Sequence, residues 1–441
     1  MINRKVLLAI ALFALGSARI ASADNSIPPP EVARGKLGAP FTPIVSQLVT
    51  APTAFRGDDG RRHLAFELML TNSSPRQATI TDVTVTSACK TYKADAEDDA
   101  KRGFPICYFP PIELQHLNGE AQVAGSMTQI GSLTVTPTAS IPTYTTNQLL
   151  LDAVVPDGVS VPSSVVVTIK ATFQEPLPGQ PPYVSIYPDA VTEVLPAVAV
   201  ASSRPIVIPS PLAGGDWVAM NSCCKLSAHR AAMLGGGGAM TFPERYAIDF
   251  IRIDANGGLY RPGEPPSMSN NYSYGAELLA VAPGKVVAIQ NGIPDQPPDV
   301  NPTGYSLDQL GGDYIVLEIN PHLYALYAHI SPDTIKVKLG QRVVTGQVLG
   351  LLGNSGNSTA PHLHFQLIDG PALLTSDGVP YVFEQQTLLA RPQGDVFVPV
   401  NAVEQTNAYP LTYSVVAFPG ASSAPVNPGS PLPRIGTGPG N

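Results

Sequence analysis

Charge is scarce in this sequence. Only 14% of its 441 residues are charged, Lys and Arg total 26 against 34 Asp and Glu, and no cluster of five or more basic residues occurs. With a formal charge of −8 the chain offers no electrostatic footprint for nucleic acid or anionic lipid, so polyanionic partners are set aside. Long apolar runs are equally scarce. The one near the N-terminus, residues 6–15, is about half of the roughly 20 residues a membrane span needs, and no later segment is long and apolar enough to serve. Cysteine is limited to four residues, which in an exported chain suggests disulfides before metal ligands. Cys89 and Cys107 could close a loop. Cys223 and Cys224 are adjacent and are not expected to bridge each other without strain, so other pairings or free thiols stay open. No internal repeat is visible.

What is present points to a folded β-protein. Hydrophobic residues make up 44%, too many for a disordered chain, while 46 Pro and 39 Gly are many for a helical one. The length predicts two folded units with linkers. Arg4-Lys5, the apolar run and Ala21-Ser22-Ala23 before Asp24 read as a secretory signal peptide over residues 1–23. The residue immediately after that site is Asp24 and not Cys, so lipoprotein anchoring is not indicated. A soluble product in the periplasm or outside the cell, without a membrane anchor, is therefore expected.

Residues 24–37, with Pro28, Pro29 and Pro30, predict an extended lead-in. Over 38–197, short β-branched runs at 63–70, 78–86 and 165–173 are separated by turn residues, which predicts an immunoglobulin-like β-sandwich. His63 and His116 have no evident partners there and are taken as ordinary packed or solvated side chains. Pro205, Pro209, Pro211 and Gly214-Gly215 mark a linker over 198–216. A second unit is expected over 217–420, followed by a disordered tail over 421–441, rich in Pro, Gly and Ser.

The chemistry lies in the second unit. Pro361-His362-Leu363-His364-Phe365-Gln366-Leu367 alternates polar and apolar residues, which on a strand puts His362, His364 and Gln366 on one face and the apolar residues on the other. Two imidazoles about 7 Å apart by strand rise can divide labour between metal ligation and proton handling. The run 323–329 also reads as a strand, with Tyr327 and His329 expected on one face. The glycines between 340 and 356 allow tight turns, and the Asn/Ser/Thr loop 353–360 can present backbone donors beside the site.

The ordered run Tyr-x-His at 327–329, Val-x-x-Gly-x-x-Val-x-x-Gly-Gln-x-x-Gly at 337–350 and Gly-Asn-Ser-Gly-Asn-Ser-Thr-Ala-Pro-His-x-His-Phe at 353–365 resembles the catalytic half of lysostaphin/LytM-type zinc endopeptidases. The likeness covers roughly residues 225–370, including the strand-Gly-strand element at 277–287. It implies a LytM-type antiparallel β-sheet domain, zinc at His364 and Asp249, catalytic imidazoles at His329 and His362, and peptidoglycan as substrate, cut by zinc-activated water. Tyr327 and Asn357 are placed at the substrate. One departure stands out. The family pattern His-x-Gly-x-Asp has Arg245 where its histidine belongs, and arginine has no lone pair for a metal. His229, in Ser227-Ala228-His229-Arg230, is the best substitute; the alternatives are that His229 is structural or that Cys223 or Cys224 contributes the ligand. Gly235–Gly238 lack the lysine and strand-helix setting of a phosphate loop.

The resemblance thus implies an exported zinc metalloendopeptidase. The alternative, favoured by Arg245, is a degenerate LytM-like domain that binds peptidoglycan or activates another hydrolase; a purely structural or adhesive surface protein is a third class. The sandwich is expected to place the enzyme on the wall or to cover its groove. Any regulatory protein partner is left unidentified.

Overall fold

A computed structural model describes residues 42–88, 110–129, 135–236, 238–420 and 426–433. The signal peptide, the lead-in over 24–37 and the Cys89–Cys107 expectation lie outside the described residues. The fold is all-β, as composition predicts, with a few single-turn helices.

Two sheets come first. One runs, in spatial order, Ile44–Leu48, Arg62–Asn72, Thr146–Val155 and Met127–Gln129, with Thr53–Arg56 also on the second of these; the other runs Ala190–Val194, Ser164–Phe173, Ala78–Ser87 and Glu113–Asn118. Alternate residues such as Phe66, Leu68, Leu149 and Leu151 from the first meet Val83 and Val167 from the second in one buried cluster. Strand period fixes what the intervening residues do. His63, Ala65 and Glu67, with Gln148 and Asp152 on the neighbouring strand, turn the other way and are covered by the C-terminal part of the chain, where Ala65 and Phe55 join a second core with Trp217, Tyr246 and Tyr409. The first sheet is therefore covered on both faces, which is why 63–70 reads as nearly continuous apolar sequence.

His63 is not an ordinary side chain without partners. It is buried between Asp152, with Nδ1 to Oδ1 at 2.9 Å, and Asp59, with Nε2 to Oδ1 at 3.2 Å, while His116 pairs with Asp82 at 2.8 Å. Those carboxylates are distant in sequence or across a turn, so spacing could not reveal them.

The stretch 198–216 is woven into both halves rather than hanging free. Val198–Ala199 pairs with Ser164–Phe173, Ile206–Ile208 runs parallel to Tyr381–Gln393, and Gly214–Met220 enters the middle of an eleven-stranded sheet. In that sheet Gly214–Met220, Ile248–Arg252, Leu363–Ile368, Leu323–Ile330 and Asp313–Asn320 are consecutive neighbours. The tail expectation over 421–441 is corrected for residues 426–433 alone, its other positions lying outside the described residues. Residues 426–433 are packed: Val426 is buried in an apolar cluster with Ile251, Ile253 and Phe397, Leu432 rests against it, and Pro431 bridges Val396. Burying those side chains outweighs the disorder that Pro and Gly favour.

Cys223 and Cys224 form a disulfide with each other, across a cis peptide bond. Among the pairings that the sequence leaves open, this is the one that adjacency disfavours. Both are buried in the core shared with Phe55 and Ala65, and neither is available as a metal ligand.

Candidate metal centre

The site begins with Leu363–Ile368. Leu363, Phe365 and Leu367 are fully buried in the core, and the opposite face carries His364 and Gln366, with His362 one residue ahead of the strand. The alternation anticipated from sequence holds. Antiparallel pairing then places Asp249 directly opposite His364 on one side and Ala328 on the other. Opposed residues have Cβ atoms about 5 Å apart, so a carboxylate reaches an imidazole without distortion. Asp249 Oδ1 is 3.0 Å from His364 Nδ1.

Alternation fails at 327–329. Tyr327 pairs with Phe365 and points into the core, where its hydroxyl donates to Leu279 O and accepts from Val281 N, both at 3.0 Å. The expectation that it touches substrate is overturned. His329 nevertheless reaches the site, because its φ of 59° and the irregular register beside it break the period and turn its ring to the other face. Its ring centroid lies 4.5 Å from that of His362 and 6.0 Å from that of His364.

His229 arrives from a separate element. The helical turn Ala228–Ala231 is capped by Ser227, whose side chain accepts from Arg230 N, and it brings His229 Nε2 within 3.1 Å of Asp249 Oδ2. Nε2 or Nδ1 of His229, a carboxylate oxygen of Asp249 and a ring nitrogen of His364 lie within 4.8 Å of one another. Two imidazoles and one carboxylate form a ligand set used by catalytic zinc sites, which leave a further position open. The donors are also oriented for that role. His364 Nε2 hydrogen-bonds Gln366 Oε1 at 2.7 Å and His229 Nδ1 faces Ala247 O at 3.3 Å, which leaves His364 Nδ1 and His229 Nε2 directed at the shared point, while Asn221 Nδ2 donates to Asp249 Oδ2 at 2.9 Å. The residues present fit a zinc ion.

Electrostatics agree with that geometry. Burial pushes the Asp249 carboxyl up, but the charges of His229 and His362 hold it well below the usual carboxylate range. Burial pushes His364 down, and Asp249 outweighs this to hold it up. His329 is the opposite case. Burial and the charges of His362 and His364 hold it well below the usual imidazole range.

The second pair of imidazoles is oriented by the glycine-rich loop. His329 Nδ1 donates to Ser355 O at 2.8 Å, and His362 Nδ1 lies 2.8 Å from Ala360 O and 3.1 Å from Ser358 Oγ. Gly312 and Gly356, both at positive φ, approach so closely that a Cβ on either would meet the other loop's backbone. That contact brings Ser355 to His329. Asn357, expected at the substrate, is exposed at the loop tip with its backbone N–H on Leu310 O. Asn221 is not anticipated from sequence, while Ser355 and Ser358 lie in the loop expected to present backbone donors and meet the imidazoles through the Ser355 carbonyl and the Ser358 hydroxyl instead. Gln366 had a signal, since it sits two residues beyond His364 on the same face.

Arg245 points away from the metal donors. Its guanidinium pairs with Glu67 and with Thr50, both in the first sheets' part of the chain, and lies 5.1 Å from the Tyr246 ring centroid.

Residues 268–373 match the description Peptidase family M23, a span that includes His329, His362 and His364 and begins after Asp249. Peptidoglycan DD-endopeptidase ShyA of Vibrio cholerae serotype O1 is 46% identical over 57 residues, 13% of this chain and 13% of that protein. Lysostaphin of Staphylococcus simulans is 28% identical over 176 residues, 40% of this chain and 33% of that protein. The solved catalytic domain of lysostaphin from Staphylococcus simulans is 26% identical, covering 33% of this chain and 80% of that one, with a TM-score of 0.20. The chain thus spans a third or less of these two curated relatives' length. With its matched segment holding the strand of His329 and the His362/His364 pair, the chain carries a peptidase family M23 domain.

Proposed function

We propose that the chain is an exported zinc metalloendopeptidase that hydrolyses peptide bonds in peptidoglycan stem peptides or cross-links. The observation that carries this is the meeting of His229, Asp249 and His364 donor atoms beside a second, separately oriented pair of imidazoles. His229, Asp249 and His364 would hold the zinc ion, which supplies Lewis-acid polarisation and makes water acidic enough to act near neutral pH. The chain's own groups do the rest. His329, its Nδ1–H on Ser355 O and its ring held neutral, presents Nε2 as acceptor for the attacking water's proton. His362, 4.5 Å away between ring centroids, donates to the oxyanion and returns a proton to the leaving amine.

The degenerate reading was motivated by Arg245. That residue is engaged with Glu67, and His229 supplies the imidazole instead, which supports an intact ligand set. With the short strands Thr53–Arg56, Ser140–Ile141 and Val198–Ala199 left out and the eight others, Ile44–Leu48 to Ala190–Val194, lettered A, B, C, C′, D, E, F and G in chain order, the first two sheets have the orders A-B-E-D and G-F-C-C′, which supports an immunoglobulin-like N-terminal domain over 38–197. Residues 1–23 support export, and the names of the relatives support peptidoglycan as substrate. No helix among the described residues is long and apolar enough to cross a membrane.

The test is zinc stoichiometry together with release of peptides from purified peptidoglycan. One zinc per chain and measurable hydrolysis, both lost in His364→Ala, are expected. A zinc-free wild type, or hydrolysis unchanged by His364→Ala, rejects the proposal.

A further inference from the structure

Glu67 lies on the inter-unit face of Arg62–Asn72, 1% exposed, and its carboxylate is shared by two guanidinium groups. Arg230 Nη2 donates to Oε1 at 2.6 Å, and Arg245 Nη2 donates to Oε2. Burial alone would raise this carboxyl, but Arg245 and Arg230 keep it below the usual range.

The two arginines sit beside the metal donors. Arg230 follows His229 on the same helical turn, and Arg245 stands four residues before Asp249 on the segment whose Ala247 O faces His229 Nδ1. One carboxylate therefore ties together the two segments that supply the His229 Nε2 to Asp249 Oδ2 approach of 3.1 Å. A four-residue helical turn has too few internal hydrogen bonds to hold its own place. Several of its anchors come from the first sheet. Besides Glu67, Gln148 Nε2 donates to Arg230 O at 3.2 Å, and Arg230 Nη2 faces Phe66 O and Leu151 O, both at 3.4 Å; from the C-terminal part come Cys224 O, 2.6 Å from Arg230 Nη1, Ala247 O, 3.3 Å from His229 Nδ1, and Asn221 O, which accepts from Ser227 Oγ at 3.2 Å.

We propose that Glu67 is a positioning residue for the metal centre, so that the His229 ligand is held in place across the interface by the N-terminal sheets. This rests on the proposed metal site. The sheets then form part of the centre's scaffold, and Arg245 serves as one arm of the tie.

The test measures Zn2+ affinity by competition with a chromogenic chelator, and the visible absorption of Co2+-loaded protein, on the full chain. Glu67→Gln keeps the side-chain shape and removes the charge. Its Zn2+ Kd should rise roughly 10- to 100-fold, the range found when partners that orient ligands are lost, with a changed cobalt spectrum. Gln148→Ala, a milder change, should raise Kd roughly two- to tenfold. Asp189→Asn, which weakens the pair of the exposed Asp189 with the buried Arg76, away from the metal centre's helical turn, should match wild type. A folded Glu67→Gln protein with wild-type Kd and spectrum overturns the inference. If Glu67→Gln does not fold, Gln148→Ala decides, and wild-type behaviour there overturns it equally. Failure of wild type to bind one Zn2+ or Co2+ rejects the metal centre itself, a separate outcome.

Discussion

Asp249 and His364 stand opposite each other in adjacent antiparallel strands, and their side chains meet at 3.0 Å on the face turned away from the core. Neighbouring Phe250 and Phe365 fill that core, so the register which seats these aromatics also sets the carboxylate against the imidazole. A slip of one residue would exchange the two faces.

Metal retention should follow that geometry outward. Gln366→Leu removes the acceptor that orients His364 and should raise the zinc Kd about 10- to 100-fold while leaving the sheet folded. Equilibrium dialysis against a chelator measures this. Stripping zinc from wild type should abolish hydrolysis, and added zinc should restore it.

His329→Ala should separate binding from turnover. It lies outside the proposed donor set, so zinc content should stay near one per chain while kcat falls about 10²- to 10⁴-fold. Zinc loss in this variant would place His329 among the ligands.

Tyr327→Phe should cost stability and spare activity. The hydroxyl bridges Leu279 O and Val281 N in the core, and leaving those groups without it should lower unfolding free energy by about 1–3 kcal/mol. Denaturant titration measures the first effect and peptidoglycan hydrolysis the second. A fall in kcat at full zinc content would return Tyr327 to the reaction.

His63 should make stability depend on alkaline pH. Burial pushes its imidazole down, but Asp152 and Asp59 hold it up at about 9 against an ordinary 6.5. Because the folded protein binds this proton more tightly than the unfolded chain, its contribution is complete below pH 6.5 and is lost as pH rises through 9. The shift corresponds to about 3 kcal/mol. Unfolding at pH 6 and pH 9.5 should show a larger loss in wild type than in His63→Gln; equal losses would remove His63 as the cause.

Much of the site was legible because strand alternation is local. His362, His364 and Gln366 could be assigned a shared face from seven consecutive residues, and the core face followed with them. The same rule failed at Tyr327 and His329, where a positive φ interrupts the period, and no residue type there announces it. Adjacency disfavours a Cys223–Cys224 bridge without excluding it; their disulfide lies across a cis peptide bond that the sequence does not reveal. Residues 426–433 were assigned to disorder by composition, which counts Pro and Gly but is blind to the apolar cluster that receives Val426.

Local pattern was enough to specify a β-rich chain, its histidine strand and the donor types suited to zinc, because composition and two-residue periodicity need no knowledge of distant partners. Which donors meet is another matter. His229 reaches Asp249 only through the packing of a short helical turn, and Arg245 finds its counter-charge in Glu67, 178 positions earlier. Such encounters depend on strand register and on the docking of one sheet against another, and these are settled by burial of surface contributed from all along the chain.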